Sequence, residues 1–466
     1  MKAHLLHILR CPNCGGRLNL GLAAEAAPEK EIEYGVLACD CSEYPIVGGI
    51  PIFKTEGRVS AMRQTVDSVL NIGPKVKDLV ELIRRGCHEQ ALLRLLVIPN
   101  RWASRLLAMS DTVPPRARKW TEGLADLFWS RQQQKQRDFL TCGRDKTTAL
   151  EMIRFFYESS MRSEVYHYFC CRFGQPRHLA ALSLASLFPE SEKPVLDLAC
   201  GFGHLTHYWL NSRRNQSIIG VDRNFFQLYV AKNWLAPGGE FICAEADLRL
   251  PFVSQGLSGV FCSDAFHCFL RRAVCADEMK RITDASGLIV LARMGNRHVE
   301  PREGYELSAE RYSDLFRGLL TRIVSEEDLL DSYLKRMGPQ LQAMPQANSL
   351  ERNKWLSLVA SGDPGKLRNY GQFEQWPHAA GRLSLNPLYH KHIGNDSAEV
   401  SLSLRFPSKW YEFENSGCLR YMPQSLVVPK RVLDELKNST SSKEIESLVE
   451  KCVLVGMPAR YSSASE

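Results

Sequence analysis

The sequence predicts an α/β protein whose core is a doubly wound, mostly parallel sheet. Three observations carry that reading. Val195-Leu-Asp-Leu-Ala-Cys-Gly-Phe-Gly-His-Leu-Thr206 reads as a buried strand that ends in a glycine turn and opens a helix. Ser217-Ile-Ile-Gly-Val-Asp222 reads as a second strand that ends in an acid. Between residues 191 and 300, strand and helix patterns alternate, which is how parallel strands are connected.

Within that core the strand candidates are 194–199, 217–222, 240–244, 258–263 and 287–293. Helices are expected to open near Gly203, Asn224 and Arg271. A turn that lets a ligand touch backbone, followed one βα unit later by a carboxylate, is how such a sheet holds an adenosine. A dinucleotide site needs a third glycine for close approach to a pyrophosphate. Here Thr206 stands at that place, and Asp197 sits inside the strand. A carboxylate repels a pyrophosphate and attracts a cation.

The chain has 466 residues, enough for two to four domains. Its 59 Lys and Arg against 52 Asp and Glu leave a net charge of only +7, which by itself does not argue for nucleic acid. No apolar run approaches the roughly 20 residues of a membrane span. The start lacks the apolar stretch and cleavage site of a signal peptide. The 15 cysteines are odd in number and scattered, which suits reduced thiols. A cytoplasmic protein is expected.

Residues 1–55 read as a compact metal-binding module. Cys11-Pro-Asn-Cys14-Gly-Gly is one knuckle, and Cys39-Asp-Cys41 is the other. Thiolates bind zinc tetrahedrally, and residues i and i+2 of an extended segment face one side, so both sulfurs can reach one ion. Cys11, Cys14, Cys39 and Cys41 are the expected ligands of a structural zinc. Four thiolates leave no open coordination position for chemistry. The module, with Tyr44-Pro-Ile-Val-Gly-Gly-Ile-Pro-Ile-Phe53, resembles the small zinc-ribbon proteins that activate tRNA and translation-factor methyltransferases. Guanine methyltransferases of large-subunit ribosomal RNA are a second likeness, with different cysteine spacing.

Residues 56–190 read as helical. Val76, Leu79, Val80 and Ile83 recur at one-face spacing, and Gly86 is a plausible stop. Glu151 to Phe173 is a further helical stretch rich in Phe and Tyr, read as core packing or as a lid over a substrate pocket. Two basic clusters, Arg116, Arg118 and Lys119 near Trp120, and Arg131, Lys135 and Arg137, fit either a solvated helix face or a phosphate backbone. Residues 301–466 read as a C-terminal α+β extension of unknown role. It is helical to about 335, linker-like over Gly338 to Glu374, and strand-like around Val400, Leu402, Leu404 and Phe406. A final helix opens at Ser441-Ser-Lys-Glu444.

The pattern Asp197-x-Ala199-Cys-Gly201-x-Gly203 resembles the first motif of class I S-adenosylmethionine-dependent methyltransferases. The resemblance implies a Rossmann-like fold and a cofactor site at 191–300. It implies that Asp197 orients the methionine ammonium, with Ala199, Gly201 and Gly203 in the turn. Asp222, beside Arg223, would take the ribose hydroxyls. Ala246 and Asp247, in Glu245-Ala-Asp-Leu-Arg-Leu-Pro-Phe252, would contact adenine. Ser263-Asp264-Ala-Phe-His267 looks like the small-molecule enzymes, among them those of ubiquinone and menaquinone biosynthesis. It lacks the proline motifs of adenine, glutamine and cytosine methylation.

Ser263 is then a cofactor contact, and Asp264 and His267 are candidate general bases. The expected activity is methyl transfer from S-adenosylmethionine to an oxygen or nitrogen of a small molecule. RNA is the alternative acceptor, and a non-catalytic cofactor-binding scaffold is the second alternative. No membrane partner is expected.

Overall fold

The computed structural model describes residues 1–23, 31–53, 76–96, 146–158, 163–212, 216–299, 306–342, 350–393, 398–436 and 442–462, with scattered positions between 114 and 141. Five of the six residues in the two basic clusters, all but Arg137, lie outside them.

The first module is a four-stranded antiparallel sheet in the order β1 (Asn19–Ala23), β2 (Gly35–Ala38), β3 (Glu43–Val47) and β4 (Ile50–Pro51). Gly48 and Gly49 both take positive φ, which lets the chain reverse tightly between β3 and β4. Helices α1 (Val76–Arg84) and α2 (His88–Leu96) follow; α1 packs its buried Leu79, Val80, Leu82 and Ile83 toward β3. The Glu151 to Phe173 stretch is not one helix. It divides into α3 (Ala149–Glu158), α4 (Ser163–Cys170) and a 3-10 turn at Arg172–Gly174. Helix α5 (Pro176–Ala185) then begins with proline at its first position and is buried along its whole length.

The core strands are β5 (Val195–Leu198), β6 (Ile218–Asp222), β7 (Glu240–Cys243), β8 (Leu257–Ser263), β9 (Thr283–Gly295), β10 (Leu320–Ser325) and β11 (Trp355–Ser361). They form one sheet in the order β10-β11-β9-β8-β5-β6-β7. All run parallel except β11, which is antiparallel to both β9 and β10. Helices α6 (His204–Ser212), α7 (Phe225–Val230), α8 (Arg272–Ile282), α9 (Ala309–Asp314) and α10 (Glu326–Leu334) make the connections. The expected strands and helix starts hold to within a few residues. Asn224 caps α7 by accepting from the Gln227 N–H at 3.3 Å.

Two expectations are corrected here. The stretch 301–335 is not all helical, because β10 lies within it. The segment 338–374 is not a linker, because it contains β11, which is buried along nearly its whole length. The central sheet therefore continues to residue 361.

The first module continues the sheet at its far edge. Ile52 bridges Cys243 in parallel register, and the Phe53 N–H donates to the Cys243 carbonyl at 2.8 Å. An exposed edge strand is thereby covered. The core is filled by large side chains such as Trp209, Trp234, Phe241 and Phe261, all essentially inaccessible. Burying each such ring contributes roughly 2–3 kcal/mol.

Beyond residue 361, β12 (Arg382–Leu385) pairs with β16 (Leu454–Met457), and β13 (Tyr389–Ile393), β14 (Glu399–Leu404) and β15 (Ser425–Pro429) form a three-stranded antiparallel sheet. Helices α11 (Lys409–Glu414), α12 (Lys430–Glu435) and α13 (Lys443–Glu450) complete this part. Ser442, not Ser441, caps α13. No helix among the described residues is long and apolar enough to cross a membrane.

Candidate functional site

The chain runs outward from β5 to β7 and then returns to place β8 on the other side of β5. This reversal opens a crevice at the carboxyl ends of the strands, where ligands of such sheets bind. A cavity of about 270 Å³ lies there. Its floor is the turn after β5. Ala199 and Gly201 have φ of 59° and 54°, which bring backbone rather than side chain to the cavity. Ala199 pays a strain cost for a left-handed conformation, as residues at functional turns often do.

Asp222 stands at the end of β6. Its Oδ2 accepts the Gly201 N–H at 3.0 Å, and its Oδ1 accepts the Asn224 N–H at 2.8 Å. Asp197 accepts the Thr206 hydroxyl at 2.7 Å. Thr206 therefore fixes the acid in the position that a third glycine would have left open. Burial pushes the Asp197 carboxyl up to about 7, against the opposing pull of the Thr206 hydrogen bonds. A cation beside it would restore its charge.

The far wall comes from the ends of β7 and β8. Ala246, Asp247, Glu245 and Ser263 all line the cavity, and Asp247 accepts the Arg271 N–H at 2.8 Å. Arg223 lines it beside Asp222. The roof is Tyr168 and Phe169, from the end of α4, and Arg172, from the 3-10 turn that follows. Five acids (Asp197, Asp222, Glu245, Asp247 and Asp264) line the cavity against Arg172 and Arg223, so the lining suits a cationic ligand.

Asp264, with φ 56°, is locked into an ion cluster. Tyr168 donates to its Oδ2 at 2.6 Å, Arg293 Nε lies 3.2 Å from Oδ1, and Arg172 and Arg177 lie 3.4 and 3.7 Å from Oδ2. Burial works against its charge, but Arg293, Arg177 and Arg172 outweigh it and hold the carboxyl below its ordinary value. Arg293 is aimed inward by a bulge where β9 opposes β11, with φ 57°, and its guanidinium sits 3.8 Å from the Trp355 ring centre. It also pairs with Glu326 and Glu414.

Of the nine residues expected at a cofactor, eight line the cavity: Asp197, Ala199, Gly201, Asp222, Arg223, Ala246, Asp247 and Ser263. Gly203 does not. A Cβ there would sit 3.0 Å from Ala231 Cβ, so this glycine serves the packing of α6 against the helix that follows β6. Asp264 lines the cavity, but a carboxylate held ionised by three guanidiniums is a weak proton acceptor. His267 is not among the lining residues, and its ring faces Trp355 at 5.9 Å. The geometry offers neither as a general base. Of the roof residues, Tyr168 and Phe169 fall in the aromatic stretch that the sequence offers as core packing or as a lid, whereas Arg172 was not singled out.

At the other end of the chain, Cys11, Cys14, Cys39 and Cys41 bring their sulfurs within 4.8 Å of one another. The Cys11–Cys41, Cys39–Cys41 and Cys14–Cys39 separations are 3.6, 3.5 and 3.9 Å. A tetrahedral ion with metal–sulfur bonds of about 2.3 Å separates its ligands by about 3.8 Å, so the donor set fits zinc.

Residues 196–291 match the family model described as a methyltransferase domain. Residues 196–291 thus carry a methyltransferase domain. The ubiquinone/menaquinone biosynthesis C-methyltransferase of Campylobacter jejuni is 29% identical over 126 residues, which cover 26% of this chain and 53% of that protein. The chain thus spans about half the length of the curated relatives it matches. Among solved structures, the complex of the Haloferax volcanii Trm112 methyltransferase activator with a partner named as a methyltransferase gives 19% identity. It covers 44% of this chain and 97% of that one, at a TM-score of 0.32. Phosphoethanolamine N-methyltransferase 2 of Haemonchus contortus, in complex with S-adenosyl-L-methionine, gives 14% identity over 45% of this chain and 59% of that one, at a TM-score of 0.32. The sheet that carries this domain pairs at its β7 edge with the cysteine module and extends through residue 361.

Proposed function

We propose that this chain is a methyltransferase that moves a methyl group from S-adenosylmethionine to a small-molecule acceptor, at an oxygen or nitrogen. The observation that carries the reading is the pairing of Asp222 with the Gly201 turn, beside the buried Asp197, inside a cavity whose charged lining is five acids against two arginines. When bound, the cofactor supplies an electrophilic methyl on a sulfonium. Asp222 would take the ribose hydroxyls, Asp197 would attract the ammonium, and Ala246 and Asp247 would flank the adenine. The roof of Tyr168 and Phe169 excludes water. Without a base at Asp264 or His267, the acceleration comes from alignment and desolvation of the acceptor.

A carbon acceptor is a second reading, favoured by the match to the Campylobacter jejuni enzyme. The acid-rich lining, with five acids against two arginines, supports a small molecule over the polyanionic RNA. Zinc in the four-cysteine cluster is assigned a structural role. Because Ile52 and Phe53 pair with β7, a folded ribbon supports the edge of the domain that binds the cofactor.

The test is a screen of hydroxyl, amine and activated-carbon acceptors for S-adenosylhomocysteine release. Cofactor binding without turnover on any acceptor would leave a scaffold.

A further inference from the structure

The roof of the cavity belongs to the segment Tyr168–Gln175, which runs from the last turn of α4, ending at Cys170, to the residue before α5 at Pro176. The last carbonyls of a helix have no partner within it. Here they are met from more than 200 residues away. The Tyr461 hydroxyl lies 2.8 Å from the Cys170 carbonyl and 3.2 Å from that of Phe169. The Tyr411 hydroxyl donates to the Cys171 carbonyl at 3.0 Å. The Tyr421 hydroxyl donates to the Gly174 carbonyl at 2.7 Å.

Three phenols from three separate places in the C-terminal part therefore converge on one short segment. Tyr411 and Tyr461 are fully enclosed, and the Tyr461 ring packs edge-on against Phe173 at 5.1 Å. The same α11 that carries Tyr411 also carries Glu414, which pairs with Arg177 and Arg293 behind Asp264. The segment they hold touches the cofactor turn: a Cβ on Gly201 would lie 3.8 Å from the Phe169 ring.

We propose that the C-terminal part is the positioning element of the cavity roof, with Tyr461 and Tyr411 as its positioning residues. It sets Tyr168, Phe169 and Arg172 over the cofactor turn, and the affinity of the site depends on it. This rests on the methyl-transfer reading for the identity of the ligand.

The experiment uses the full chain and compares wild type, Tyr461→Phe, Tyr411→Phe, the double variant and Tyr389→Phe. The last removes a hydroxyl that bonds the Pro423 carbonyl at 2.8 Å, inside the same part, and that bonds no roof carbonyl. Two quantities are read: calorimetric affinity for S-adenosylhomocysteine, and hydrogen exchange of the amides of residues 169–175. A buried carbonyl left without its donor loosens the segment that carries it. The double variant is expected to bind on the order of tenfold more weakly and to exchange at least tenfold faster over the roof, with Tyr389→Phe matching wild type in both. The proposal is overturned if the double variant binds as wild type does, or if Tyr389→Phe loses as much as the double variant. If wild type itself does not bind, the methyl-transfer reading falls. The roof is then judged on exchange alone: faster exchange only in the double variant supports it, and unchanged exchange overturns it.

Discussion

Tyr168 donates its phenolic hydrogen to Asp264 Oδ2 at 2.6 Å, across 96 residues of chain. One partner ends the helix that roofs the cavity, and the other ends β8 beneath it. The contact ties the roof to the carboxyl end of β8 at the cavity. Because Arg172, Arg177 and Arg293 surround the same carboxylate, it acts as a strut and not as a proton acceptor.

The cluster makes Arg293 expensive to remove. Arg293→Met leaves Asp264, Glu326 and Glu414 partly buried with one guanidinium fewer. Breaking a buried pair by deleting one partner costs about 3–5 kcal/mol. Denaturant unfolding of the variant is expected to show a loss in that range, whereas a loss under about 1 kcal/mol would mean that the cluster is balanced without it.

His267 faces Trp355 and not the cavity. The His267→Ala variant is expected to bind S-adenosylhomocysteine within about twofold of wild type, and to keep its turnover once an acceptor is identified. A drop of a hundredfold in turnover with unchanged binding would restore His267 as the base.

Asp197 predicts a pH dependence. Its folded-state value, pushed up to about 7, lies above the ordinary 3.8. Between these values the folded protein holds a proton that the unfolded chain has released. The stability of the ligand-free protein therefore falls as pH rises from about 4 to 7. Binding of a ligand ammonium needs the carboxylate, so affinity is expected to rise as pH increases through about 7. Titrations at pH 6 and 8 check this, and Asp197→Asn should flatten the difference.

The four-cysteine cluster predicts one zinc per chain in an elemental assay. Removal by a chelator at neutral pH should unfold the ribbon, since structural zinc sites contribute their binding energy to folding. Because Phe53 and Ile52 cover the β7 edge, the melting temperature of the whole chain should fall by several degrees. An unchanged melt with zinc gone would separate the ribbon from the core.

The first five core strands were legible because each carries an apolar run that ends in a turn or an acid, as in Val195–Leu198 before the Gly201 turn. The cysteine cluster was legible from spacing alone. β11 was not. Its seven residues lie between polar stretches rich in Pro, Gly and Asn, and its place between β9 and β10 is set by pairing with strands on either side. The roof was legible only as one of two readings of its aromatic stretch, and its tethers were not. Tyr168, Tyr411 and Tyr461 look like ordinary core aromatics until folding brings their hydroxyls to Asp264, Cys171 and Cys170. Arg293 carries no local sign of its role, since only a bulge against Ser357 turns it inward.

The most direct test is a calorimetric titration of the folded, zinc-loaded chain with S-adenosylhomocysteine, beside Asp222→Ala. Two hydrogen bonds to a charged acceptor are worth roughly 1.5–3 kcal/mol each, so the variant should bind at least a hundredfold more weakly. Micromolar binding by wild type that disappears in the variant is the predicted result. No binding by wild type, or equal binding by both, would contradict the account.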